Sequence, residues 1–164
     1  TQALEKYPGD ADFTQMRGIA RFQQKKAREA IESYREMEKI ALAKKDTNLL
    51  VTSYSVLGDL HFELKDSKGA FAYYKKALKL KPNENGVLNN YAYYLSLEGK
   101  NLKLAYQMSR KTIETEPDNP TYLDTFGWIL FLMDKPLEAK AQFKHAMLYG
   151  GTESAAILDH YAEV

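Results

Sequence analysis

Apolar residues in this chain recur at steps of three and four. Leu57, Leu60 and Leu64 form one such run, and Leu123, Phe126 and Leu130 form another. At 3.6 residues per turn this spacing puts the side chains on one stripe, so each run predicts a helix with a single buried face. The strand signal, an alternation of period two, is missing throughout. Breaks between the runs carry ordinary stop and start chemistry. Lys65-Asp66-Ser67 and Glu98-Gly99-Lys100-Asn101 read as tight turns between helices. Asn119 before Pro120 reads as an N-cap with proline at the first helical position, and Pro136 opens another helix the same way.

The pattern repeats. Pro8, Pro82 and Pro117 each stand ten residues before a very small residue, namely Gly18, Ala92 and Gly127. Gly58 to Ala92 is 34 positions, and Ala92 to Gly127 is 35. From Gly18, Gly58, Ala92 and Gly127 a second small residue follows after 12 or 13 positions: Ala30, Ala70, Ala105 and Ala139. A small residue where two antiparallel helices cross lets their axes approach to about 8 Å. Tyr34, Tyr74 and Phe143, each four residues after such an alanine, are placed to fill the space beside the crossing. Each unit is therefore two helices, A and B.

The run Tyr54…Leu57-Gly58…Ala70…Tyr74…Ala77…Pro82 resembles the 34-residue tetratricopeptide repeat, with tyrosine for its usual tryptophan and His61 for its usual tyrosine. Leu123…Phe126-Gly127…Ala139…Phe143…Ala146 is similar, and Leu88…Tyr91-Ala92…Ala105…Pro117 matches with one residue inserted in its turn. The expected fold is all-α, an α-α superhelix of helix-turn-helix repeats forming one domain over 1–164. Complete units are expected at 11–50, 51–84, 85–119 and 120–154, with the tail of an earlier unit at 1–10 and the opening helix of another at 155–164. The first unit departs from the pattern, since Arg17 and Arg21 stand where apolar core residues belong.

Composition narrows the function. Hydrophobic residues make up 45% and charged residues 27%, which suits a folded domain rather than a disordered one. A formal charge of +1 supplies no overall attraction to nucleic acid or anionic lipid. With no cysteine, a disulfide framework, a thiolate zinc site and a cysteine nucleophile are excluded, while cytoplasm and periplasm both stay open. The longest apolar run, around Trp128–Met133, is far below the roughly 18 residues of a membrane span. Thr1 to Lys6 carry neither the basic start nor the apolar core of a signal peptide. His61, His145 and His160 lie in different units with no second ligand at a metal-motif spacing, and read as packing or surface residues. No phosphate loop, nucleophile elbow or catalytic carboxylate pair is visible, so neither a catalytic site nor a cofactor is expected.

The resemblance implies that helix A of each unit lines a concave groove and that function sits there as protein recognition. By that geometry the groove candidates are Asp59, Phe62, Asn89, Asn90, Tyr93, Asp124, Trp128, Phe131 and Asp159, with Ile19 and Phe22 facing the same way in the first unit. Trp128 reads either as a ligand anchor or as packing between adjacent A helices. Acids and aromatics with no groove lysine or arginine favour a basic or apolar peptide or helix of a partner protein. The basic clamp with which related co-chaperones grip acidic tails has a counterpart only in Asn90. Two further readings remain: RNA binding through helix-B lysines such as Lys75, Lys76, Lys79 and Lys81, which is disfavoured because aromatics and bases do not share a surface, and self-association through open repeat ends.

Overall fold

The computed structural model of the chain describes residues 10–164, so the expected tail of a preceding unit at 1–10 lies, apart from Asp10, outside them. Every regular element among the described residues is helical. The first compact unit, which runs to Pro82, holds α1 (Ala11–Gln23), α2 (Ala27–Lys44), α3 (Thr47–Glu63) and α4 (Ser67–Leu80). The second, from Asn83, holds α5 (Asn85–Leu97), α6 (Leu102–Thr115), α7 (Pro120–Leu132), α8 (Pro136–Leu148), a 3-10 turn (Gly151–Glu153) and α9 (Ala155–Ala162).

Among the described residues, side-chain oxygens start six of the helices, while α2, α5 and α8 begin without a side-chain cap. Asp10, Asp46, Asp66, Asn101, Asn119 and Ser154 each precede a helix and accept hydrogen bonds from first-turn N–H groups that have no partner within the helix. The cap at Asp46 starts α3 at Thr47, ahead of the expected boundary at 51. The ends of α1, α2, α3, α5 and α7 share one device. Lys25, Lys45, Lys65, Gly99 and Asp134 adopt positive φ, and the following N–H reaches back across the last turn, as from Asp66 to His61 O at 2.9 Å and from Lys135 to Leu130 O at 3.0 Å. Of these five, only Gly99 avoids the penalty, on the order of 1 kcal/mol, that an L side chain meets in this region.

Within the first unit α1 packs on α2, α2 on α3 and α3 on α4. Within the second, α5 packs on α6, α6 on α7 and α7 on α8, while the A-type helices also meet directly, α5 with α7 and α7 with α9. No comparably close approach joins α1 to α3.

The small residues lie at the crossings, as their periodicity predicts. A Cβ added to Gly18 would lie 2.7 Å from the Tyr34 ring, one on Gly58 would lie 2.6 Å from Tyr74, and one on Gly127 would lie 3.0 Å from Phe143. Ala30, Ala70, Ala105 and Ala139 are fully buried. At the remaining crossing residue, Ala92, the position four residues after Ala105 is Ser109, a small buried side chain in place of a ring, against a residue that already carries a methyl group.

The first helix pair is joined differently. Arg17 donates to the buried Ser33 hydroxyl at 3.2 Å and pairs with Glu36, while Arg21 donates to Ser33 Oγ and to Glu29 O, both at 2.9 Å. Two guanidinium groups in apolar register are tolerated because Ser33 and Glu29 meet their donors.

Candidate protein-binding surface

In each A-type helix the residue after the crossing glycine or alanine is turned about 100° from the buried stripe. These residues are Ile19, Asp59, Tyr93 and Trp128. What lies against them differs between the two units.

In the first unit a cavity of about 220 Å³ opens between α1 and α3, lined by Ile19, Phe22, Tyr34, Val56, Asp59 and Leu60. Ile19 and Phe22 are 43% and 49% exposed, more than packing alone leaves uncovered on large apolar side chains at adjacent turns. Tyr34 is buried, and burial pushes its hydroxyl above the ordinary tyrosine range. Asp59 is half-buried and accepts a hydrogen bond from the Tyr74 hydroxyl, so the ring covering Gly58 is held at both ends. Phe62 packs on Phe71 with ring centroids 6.5 Å apart. At the end of α3, His61 Nδ1 lies 2.8 Å from Asp66 Oδ2, and Asp66 also accepts from Gly69 N–H at 2.9 Å. That backbone donor first, and His61 second, hold the Asp66 carboxyl below the usual carboxylate range.

In the second unit the corresponding positions are filled. His160 of α9 stacks on Trp128 of α7 with ring centroids 4.5 Å apart and planes 22° apart. Its Nδ1 lies 2.9 and 3.0 Å from the two Asp124 carboxylate oxygens. Both side chains are almost sealed from water, at 13% and 10% exposure. Phe131 packs on the other side of Trp128 at 5.6 Å, and Tyr93 approaches the His160 ring at 6.1 Å. Burial, and then the Asp124 charge, raise the Tyr93 hydroxyl above its ordinary value.

The structure thus brings Tyr93, Asp124, Trp128 and Phe131 into one cluster. Two groove candidates need correcting: Asn89 and Asp124, expected to face a ligand, are buried. Asn89 is shielded in the helix packing, where its amide donates to Asn90 at 3.3 Å, and Asp124 is taken up by His160. Asn90, Tyr93, Trp128 and Phe131 are half-buried, whereas Asp159 is exposed at the surface of α9. Val56 and His160 complete the two arrangements and were not among the candidates. Val56 stands two residues before Gly58, as Thr125 does before Gly127, and His160 follows Thr125 by the same 35 positions that separate Ala92 from Gly127; that shared place is the signal that could have flagged them. Among the described residues no group of three or more His, Asp or Glu is placed to hold a metal ion, and no helix is long and apolar enough to cross a membrane.

Residues 51–84 match the family described as Tetratricopeptide repeat. No curated protein sequence matches the chain. Among solved structures, pilF of Pseudomonas aeruginosa superposes with a TM-score of 0.78 at 21% identity, over 93% of this chain and 66% of its own length. A thermophilic TPR protein of Thermus thermophilus gives 0.76 at 18% identity, over 99% of this chain and 84% of its own. MamA from Desulfovibrio magneticus RS-1 gives 0.71 at 18% identity, over 93% and 82%. At such identities the likeness is one of fold.

Proposed function

We propose, from the premise that this is a chain of tetratricopeptide repeats, that it is a non-catalytic scaffold that holds an apolar segment of a partner protein against the inner wall of its first unit. Proteins of this repeat family generally mediate protein–protein interaction, through surfaces that stacked helix pairs leave exposed. The observation that carries the reading is the cavity beside Ile19 and Phe22, which is apolar, open to solvent and large enough for one aliphatic side chain.

Charge supports a basic group next to that anchor. Asp59 lines the cavity, and Glu63, one turn further along α3, is exposed with no ion-pair partner among the described residues. The nearby cations Arg17 and Arg21 are committed to Ser33, Glu36 and Glu29. A lysine or arginine beside a leucine or isoleucine therefore meets complementary surroundings.

The test is quantitative capture of partners from an extract of the source organism, with wild type, Ile19→Asp and Phe22→Ala as baits. Fully burying an aliphatic side chain yields roughly 1.5–3 kcal/mol, so losing the anchor lowers recovery about tenfold or more. Both substituted residues are exposed, so melting temperatures should stay close to wild type. Equal recovery of every partner by all three baits overturns the reading.

A further inference from the structure

We infer that the first unit carries a second docking surface, on the far side of α3 from the cavity, that takes an acidic amphipathic segment of a partner protein. At about 100° per residue, Tyr54 lies roughly 140° around the helix from Asp59, so the two surfaces do not overlap. The second one is a groove of about 360 Å³ lined by Leu42 of α2, Leu50 and Tyr54 of α3, and Lys76, Lys79 and Leu80 of α4.

Three observations define what fits it. First, Leu42 and Leu80 are 55% and 41% exposed on opposite walls, which a merely solvated face does not require. Second, Lys76 is built into the wall. Its Nζ lies 4.8 Å from the Tyr73 ring centroid, 5.3 Å from that of Tyr54 and 4.0 Å from Glu38 Oε1. Burial first, and then Glu38, which accepts a hydrogen bond from Tyr54, raise that tyrosine's hydroxyl above its usual range. The Lys76 charge is thus balanced locally, and its methylene stem is left to cover apolar surface. Third, Lys79 lies one helical step further and has no ion-pair partner among the described residues. It complements the α4 dipole in the last turn, an effect of only about 0.3–1 kcal/mol that leaves its ammonium available to a second anion.

Two leucines with an uncommitted ammonium between the walls recognise leucine-sized side chains next to carboxylates. An amphipathic helix presents both at spacings of three and four. A nucleic acid would use the lysine but leave Leu42 and Leu80 uncovered, and the aromatic rings here are turned to Lys76 rather than offered for stacking.

The experiment is fluorescence anisotropy with a labelled twelve-residue peptide of leucine and glutamate in helical spacing. A version with serine for leucine, a version with lysine for glutamate, a single-stranded RNA oligonucleotide and vesicles containing phosphatidylserine serve as competitors. The expected result is saturable binding that weakens at least tenfold in Leu80→Glu and in Lys79→Glu, each with an unchanged melting curve. Both altered peptides compete at least tenfold less well, the RNA and vesicles do not compete, and Phe22→Ala binds as wild type does. Absence of saturable binding overturns the inference, as does equal competition by RNA, vesicles or the serine peptide. Loss of binding in Phe22→Ala with retention in Leu80→Glu also overturns it, because the peptide would then occupy the inner wall.

Discussion

Ile19 and Val56 line a cavity in the first unit, whereas Trp128 and His160, at the same two places of the repeat in the second, are stacked ring on ring. Tyr93 and Thr125 occupy those places in α5 and α7, and they too are half-buried and buried. The helix-pair pattern recurs, but α5 meets α7 and α7 meets α9 closely whereas α1 and α3 do not, and the side chains at these places differ as well. An aliphatic pair leaves room for a guest. An indole and an imidazole fill the space themselves, with Asp124 holding the imidazole in place. A shared fold therefore does not imply a shared binding face, even between neighbouring repeats.

The largest expected effect bears on the walls of the two arrangements. Gly58→Leu should destabilise by about 3 kcal/mol, because its side chain meets a Tyr74 ring that is fully buried and fixed by Asp59. Gly127→Leu should cost about 1–2 kcal/mol, since the Phe143 ring starts further away and has no hydroxyl to anchor it. Urea titration of both variants checks the order, and a larger loss at Gly127 would break the comparison at its root.

Next in size is release of the plug. Asp124→Ala should cost about 2 kcal/mol by leaving His160 without its buried acceptor. Trp128 is the only tryptophan in the chain, so its fluorescence reports this site alone. The emission should shift to the red and become more accessible to acrylamide as the His160 ring swings away. Unaltered emission in a destabilised variant would mean that stacking on Trp128 does not depend on the carboxylate.

The smallest effect is on acid stability. The Asp66 carboxyl is held down in the folded state by Gly69 N–H and His61, so its contribution is present above its unfolded value near 3.8 and is lost as pH falls through the folded one. Glu116 behaves with the same sign in the second unit, where Asn85 and then Asn119 donate to it. Thermal melts from pH 5 to pH 2.5 should show stability falling at the acid end, with a shallower fall in Asp66→Asn. An identical slope in that variant would remove Asp66 from the account.

Features set by one helix or one turn were readable from the residues. The crossing glycines, the rings that cover them, the cap at Asn119 and the turn at Gly99 all depend on spacings of a few residues and on steric rules indifferent to context. The inner wall was harder. Asp124 and His160 are 36 positions apart, and their meeting depends on how two adjacent A-type helices are rotated against each other, which no local periodicity encodes. Arg17 and Arg21 looked misplaced for a related reason, because the residues that meet their donors, Ser33, Glu29 and Glu36, lie on another helix. The cavity at Ile19 was hidden because open space depends on the spacing of α1 and α3 as well as on the size of the side chains between them, and no single repeat encodes either.

The claim that the first unit offers an open inner wall and the second a closed one is tested most directly by site-specific photo-cross-linking. A benzophenone amino acid placed at position 22, and in a separate variant at position 131, is irradiated in native extract. Position 22 should give a discrete protein adduct and position 131 none above background. An adduct from position 131 with none from position 22 would contradict the claim.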